Sequence, residues 1–377
     1  MALNCFVVAP PGLEELCRTE LRQIGLTPDP VEPGGVAFPA THEQLYRANL
    51  QLRVASRILV RVASFHAAHF SDLEKAAQQV DWGRWIASGS LIEFRVSSHK
   101  SRLYHQKAIA ERLLGIMSRR VSGVSLAATD SAAAVAQRFV VRVVRDRFII
   151  SVDSSGGHLH QRGYRLESGK APIRENLAAA MLLAAGWNPA TPLIDPFAGS
   201  GTIPIEAAMI ARRIPPGWFR GFGFENWPTF DPVIWNQVRD AAGQGIVSKA
   251  SAPIVASDRD LGALRIITAN ADRAGVLADL EIITGTISDL LPPPEIGAVI
   301  TNPPYGDRIG DKRKLLDLYA RFGTVARSRL SGWKLGIISA DQRLTGQMKL
   351  NLMESWQTNN GGIPIRFLQC QVPVNGG

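Results

Sequence analysis

Between residues 190 and 340, short apolar runs alternate with helical patterns, and few folds accept that rhythm. Residues 193–194, 254–256, 281–283, 298–301 and 335–339 read as strands. Residues 202–210, 261–274 and 314–329 space their apolar side chains three and four apart and read as the helices between them. Such repetition predicts an α/β fold, a Rossmann-like doubly wound parallel sheet. Ligands of such sheets lie outside the carboxyl ends of the strands. The residues that follow each strand are therefore the ones to read for chemistry.

The first strand runs into Asp195, Phe197, Gly199, Gly201 and Thr202. The glycines permit a tight turn and let a ligand lie against bare backbone. Pro204 stands where a dinucleotide loop would carry its third glycine, and Asp195 would repel a phosphate. A cationic or amino-bearing ligand is favoured instead. The second strand ends at Asp258 and Arg259, where a carboxylate can accept both hydroxyls of a ribose. After the third strand, Asp289 can accept from the exocyclic amine of adenine. Each acid alone could equally be a helix cap or a turn residue. Together they describe a site for a nucleoside with a positive group and no phosphate, and S-adenosylmethionine is such a molecule.

The fourth strand ends in Asn302, Pro303, Pro304 and Tyr305. Such a stretch also marks ordinary turns. At the end of a buried strand it forms a rigid polar lip that can hold an amino group by hydrogen bonds and stack it at once.

The N-terminal half is built differently. Residues 1–66 read as strand, helix, strand, helix, strand, a small α+β unit. Residues 67–155 form a second unit, with a long amphipathic helix expected over 101–120 and a hairpin around Arg145–Arg147. Loop is expected over 121–136, and residues 154–157, Ser-Ser-Gly-Gly, are the candidate linker to the third domain, 156–377. Charge is concentrated here. The chain has 42 Lys and Arg against 33 Asp and Glu, a net of +9. Between Arg95 and Arg120 there are seven basic residues and one acid. Lys100, Arg102, Tyr104, Lys107 and Arg112 are the candidate RNA contacts, against the plainer reading of a solvated basic face. The three cysteines and seven histidines lack metal-ligand spacing, so no metal is expected. No apolar run is long enough to span a membrane, and no secretory leader is visible, which predicts a cytoplasmic protein.

The loop Asp195–Gly201 together with the Asn302–Tyr305 lip resembles the class I S-adenosylmethionine-dependent amino methyltransferases. Residues 160–165, His-Gln-Arg-Gly-Tyr-Arg, followed by residues 171–180, resemble the element before the glycine loop in RNA guanine-N2 methyltransferases that carry a THUMP domain. The basic stretch 98–105 looks like the THUMP signature. The resemblance covers essentially the whole chain and comes nearest to the guanine-methylating portion of the bacterial large-subunit ribosomal RNA enzyme. It implies a ferredoxin-like unit, then a THUMP domain, then the methyltransferase domain. It also implies methylation of a guanosine N2 amine in RNA, with ribosomal RNA favoured over transfer RNA. Arg162 and Glu175 would lie near the methionine end of the cofactor. Asn302 and the Pro303 carbonyl would accept the amine protons while Tyr305 stacks the base. A DNA adenine-N6 methyltransferase and a non-catalytic RNA-binding assembly factor are the competing readings. One departure from the generic fold is an insertion over 212–250 containing Trp218, Trp227 and Trp235, read either as a packed excursion or as a wall that shapes the substrate site.

Overall fold

A computed structural model describes residues 2–127, 136–166, 172–305 and 312–374. The N-terminal half contains β1 (Leu3–Val8), α1 (Glu14–Gln23), β2 (Val31–Glu32), β3 (Gly35–Ala40), α2 (His42–Gln51), β4 (Arg57–His66), α3 (Phe70–Ala77), β5 (Leu91–His99), α4 (Gln106–Arg120), β6 (Ser125–Leu126), β7 (Gln137–Val144) and β8 (Arg147–Asp153). These strands form one eight-stranded sheet in the order β2-β3-β1-β4-β8-β7-β5-β6. The antiparallel pairing of β4 with β8, from Leu59↔Asp153 to His66↔Arg147, makes the sheet continuous across the two units.

The second half contains α5 (Glu175–Ala184), β9 (Leu193–Asp195), α6 (Thr202–Ala211), α7 (Pro232–Gln244), β10 (Ile254–Asp258), α8 (Leu261–Arg273), β11 (Leu280–Thr284), β12 (Ala298–Thr301), α9 (Lys312–Arg329), β13 (Lys334–Ser339), α10 (Gln342–Gln347), β14 (Met353–Asn360) and β15 (Ile363–Gln371). Their order is β11-β10-β9-β12-β13-β15-β14. The first five are mutually parallel, and β15 pairs antiparallel with both β13 and β14. This is the doubly wound α/β sheet that the strand–helix rhythm predicts, closed by an antiparallel hairpin. Strand order reverses at β9, so a crevice opens at the carboxyl ends of β9, β10 and β12.

Two expectations change. The helix expected from residue 101 begins at Gln106. Residues 100–105 form a loop instead, held at both ends: Ser98 Oγ donates to the Leu103 carbonyl, and the Asp146 N–H donates to Ser101 Oγ. Serines that bond the backbone locally compete with helix formation. The candidate linker is not a loose one. Ser154 and Ser155 are fully buried, and their hydroxyls donate to the Ile58 carbonyl and the Asn49 side chain. Of the expected 121–136 loop, residues 128–135 lie outside the described residues.

The insertion packs onto the N-terminal half. Tyr46 of α2 stacks on Phe224 at 4.3 Å and meets Trp235 of α7 edge-on at 6.1 Å. Trp227 stands perpendicular to Trp85 at 5.0 Å, and its indole N–H donates to Gln137 Oε1 at 2.8 Å. The excursion is thus an aromatic clamp that fastens α7 to α2 and to the rim of the large sheet. Trp227→Ala removes a side chain that is 4% exposed. It should cost about 3–5 kcal/mol of stability, the range for emptying an aromatic site. Urea unfolding checks this; a loss below about 1 kcal/mol would mean that the clamp carries no load.

Candidate functional site

The carboxyl ends of β9, β10 and β12 bring Asp195, Gly199, Asp258 and Thr301 together. Asp195 is fully buried. Its Oδ1 accepts from the Phe197 N–H at 3.1 Å and from the Thr301 hydroxyl at 2.5 Å. Its carboxyl is raised to about 7, chiefly by burial and slightly by neighbouring Asp258, against the downward pull of these two donors. Asp258 accepts the Gly199 N–H on Oδ2 at 2.9 Å and the Asp260 N–H on Oδ1 at 3.0 Å. The glycine loop is therefore tied to the tip of β10, and lone pairs remain on both oxygens. Gly199 and Gly201 have φ of +56° and +81°. A Cβ on Gly201 would sit 2.9 Å from Ile267, so that position needs glycine on two counts. Thr202 is buried as the first residue of α6. Phe197 packs edge-on against Phe322 at 5.7 Å.

Asp289 is exposed, in a short turn after β11. Its Oδ2 accepts from the Thr286 N–H and hydroxyl at 2.9 and 2.7 Å, and those bonds hold its carboxyl below the usual range. It is thus a turn residue. It also lies beside the tip of β10, because the Gly285 N–H donates to the Asp258 carbonyl at 3.1 Å. Arg259 is exposed. Glu175 opens α5 and is buried. Arg165 pairs with its Oε1 at 3.1 Å, while Oε2 has no hydrogen-bond partner among the described residues. Burial pushes this carboxyl up, and Arg165 pulls it back. A buried, unpaired carboxylate oxygen is the complement of an ammonium group.

Arg162 is buried near Glu175 and helps to lower its carboxyl. Its guanidinium donates to the Leu159 carbonyl at 2.7 Å, the Arg53 carbonyl at 2.6 Å and Glu206 of α6 at 3.3 Å. Tyr164 donates to the same Glu206 at 3.2 Å. Arg162 is the centre of a buried joint between the two halves of the chain.

At the lip, Pro303 is buried and Asn302 half-buried. The Asn302 Oδ1 is sealed from solvent and has no hydrogen-bond partner among the described residues. Tyr319 of α9 donates to the Pro304 carbonyl at 3.3 Å and pins the turn. Tyr305 is half-buried between two apolar cores. Burial raises its phenol, and a hydrogen bond with Asn360 lowers it. Sequence reading passed over two positioning residues. Thr301 joins β12 to Asp195. Asn270, on the apolar stripe of α8, donates to the Ser200 carbonyl of the glycine loop at 3.1 Å. A polar residue on a buried helix stripe was the available signal for Asn270.

On the N-terminal half, Lys100, Arg102, Tyr104 and Lys107 are exposed, Tyr104 by 63%. Tyr104 lies against His105 at 4.1 Å, and Lys107 faces Glu111 at 3.9 Å. Arg112 is committed elsewhere. It bonds Glu74 at 2.7 Å and lies over the Phe70 ring at 5.5 Å, packing α4 on α3. Its side chain nevertheless stays exposed. Among the described residues, no group of three His, Cys, Asp or Glu could hold a metal ion, and no helix is long and apolar enough to cross a membrane.

Comparison with known proteins places this geometry. Residues 162–369 match the model of the RMKL-like methyltransferase domain, and residues 4–59 match the RlmL ferredoxin-like domain. A Synechocystis protein provisionally named an RNA methyltransferase is 32% identical over 97% of this chain and 96% of its own length. The ribosomal RNA large subunit methyltransferase K/L of Methylococcus capsulatus is 35% identical over 97% of this chain and 51% of its own. The chain thus spans about half the length of such K/L relatives. The crystal structure of SMU.472, provisionally described as a methyltransferase and complexed with SAH, superposes with a TM-score of 0.87 at 29% identity, over 100% of this chain and 99% of that one.

Two measurements test the electrostatics of the site. Asp195 keeps its proton to about pH 7 in the folded chain but releases it near pH 4 when unfolded. Folding therefore loses this contribution as pH rises from about 4 to 7. Thermal melts should show wild type losing stability relative to Asp195→Asn across that window; parallel curves would refute the shift. At pH 8, Thr301→Val should cost about 1–3 kcal/mol, the worth of a bond to a charged group, and Thr301→Ser should restore most of it. Equal urea midpoints for Val and wild type would remove this bond from the account.

Proposed function

Because the chain belongs to the RMKL-like methyltransferase family, we propose that it uses S-adenosylmethionine to methylate the exocyclic N2 amine of a guanosine in RNA, with large-subunit ribosomal RNA preferred over transfer RNA. The observation that carries this reading is the Asn302 carboxamide oxygen, buried and unpaired at the end of β12. An acceptor left so costs about 1–3 kcal/mol. A substrate N–H that enters beside it recovers that cost.

The amine of guanine is a poor nucleophile because its lone pair is delocalised into the ring. Asn302 Oδ1 and the Pro303 carbonyl accept one N–H each and pull the nitrogen toward tetrahedral geometry. The freed lone pair then points away from the lip. Pro303 and Pro304 fix their own φ and remove competing N–H donors. Tyr305 supplies a face for the flipped base. Asp195 and the free oxygen of Glu175 suit an ammonium group, and Asp258 suits ribose hydroxyls. When bound there, S-adenosylmethionine supplies an electrophilic methyl on a sulfonium sulfur. The nitrogen–carbon bond forms as the sulfur–carbon bond breaks, sulfur keeps the electron pair, and the amine proton leaves to water. The work of the chain is positioning and electrostatics. In this reading residues 1–66 and 67–155, the latter a THUMP unit, present RNA to the methyltransferase domain at 156–377. Lys100, Arg102, Tyr104 and Lys107 serve as contacts.

Asn302→Ala should lower transfer of labelled methyl to ribosomal RNA by at least a hundredfold, the scale of losing an aligned acceptor, while cofactor and RNA affinities stay within about threefold. Turnover surviving in the variant would sink the acceptor role. Label entering duplex DNA alone would move the function to adenine.

A further inference from the structure

The β7–β8 hairpin turns through Arg145 and Asp146, between paired Val144 and Arg147. Both turn residues have positive φ, +49° and +63°. A two-residue turn of this kind favours Asn-Gly, because side chains with a Cβ strain the left-handed region. Lys100, in the loop after β5, is left-handed too, at φ +49°. Two exposed cations thus hold strained backbone at one end of the molecule, and strain kept at such a place points to function. The loop and the turn are fastened together. The Arg102 N–H donates to Asp146 Oδ1 at 2.7 Å, the Asp146 N–H to Ser101 Oγ at 3.0 Å, and the Arg145 N–H to the His99 carbonyl at 3.2 Å. Arg142 projects from the outer face of β7 beside this junction and is exposed. Among the described residues, no carboxylate forms an ion pair with Lys100, Arg102, Arg142 or Arg145. Elsewhere on the same sheet, Arg57, Arg61, Arg95 and Arg138 are all neutralised by acids.

We propose that the β7–β8 turn and the loop after β5 form a two-jawed site for the RNA phosphate backbone. Arg142 and Arg145 line one jaw, Lys100 and Arg102 the other, and Asp146 is the positioning residue that locks the jaws together. The proposal rests on the RNA reading above and adds three residues that the basic run of the sequence did not include. Unpaired arginines on fixed backbone suit phosphates, which set register without reading sequence. The single carboxylate in the cluster holds the Arg102 backbone N–H and so acts through shape rather than charge.

The test is a titration of a large-subunit ribosomal RNA transcript against salt. Arg142→Gln with Arg145→Asn removes two charges and leaves a residue that tolerates the turn. Affinity should fall about tenfold or more, and the slope of log K against log salt should flatten by about 1.4, two single-strand phosphate contacts. Arg22→Gln, on α1, is the control. Asp146→Ala is decisive in sign. Losing a carboxylate should tighten RNA by charge alone, whereas release of the jaws should weaken it, and Asp146→Asn, which keeps the acceptor, should restore binding. Calorimetry should find S-adenosylhomocysteine affinity unchanged in all variants. Unchanged RNA affinity in the double variant, or tighter binding in Asp146→Ala, overturns the claw and leaves the methyltransferase reading intact. A wild-type protein without salt-dependent binding to the transcript overturns the RNA reading and the claw with it.

Discussion

The hydrogen bond from Thr301 to Asp195 joins the two halves of the site. Asp195 ends β9 and begins the glycine loop; Thr301 ends β12 and begins the lip. Each is buried within the sheet, and their tips meet where strand order reverses. The same bond that moderates the cost of burying Asp195 sets the starting point of Asn302. The glycine loop and the lip are therefore held at a fixed offset, by the parallel pairing of β9 with β12 and by this side-chain contact.

A second constraint lies at the joint between the halves of the chain. Glu206 stands on α6, the helix that follows the glycine loop, and receives Arg162, Tyr164 and, at 3.9 Å, Arg53. A buried carboxylate among guanidinium groups is tolerable only if all are paired, so this network fixes one docking geometry. The aromatic clamp around Tyr46, Phe224 and Trp235 covers another part of the joint. The consequence for function is geometric. In the proposed reading, an RNA held at the tip of the large sheet would meet a methyltransferase domain whose orientation is already settled.

What could be read from the sequence was what local periodicity encodes. The alternation over 193–339 located β9, β10, β11, β12 and β13 to within a residue or two, because buried parallel strands are apolar and short. The acids at their ends followed directly. What escaped was contact between distant residues. Nothing local to Arg162 says that Glu206, forty-four positions on, takes its charge. Nothing near Arg112 reveals Glu74 and Phe70. The pairing of β4 with β8 joins segments ninety residues apart and cannot be seen in either. The late start of α4 was misread because Leu103 is buried and fits a helical stripe, yet Asp146 holds its loop from another strand pair.

In the proposed function, the lip receives a guanine amine from RNA. Mass spectrometry of nucleosides from a strain lacking this gene tests it most directly. Large-subunit ribosomal RNA should lose one N2-methylguanosine, restored by the wild-type chain. Unchanged RNA with loss of N6-methyladenine from DNA would contradict it.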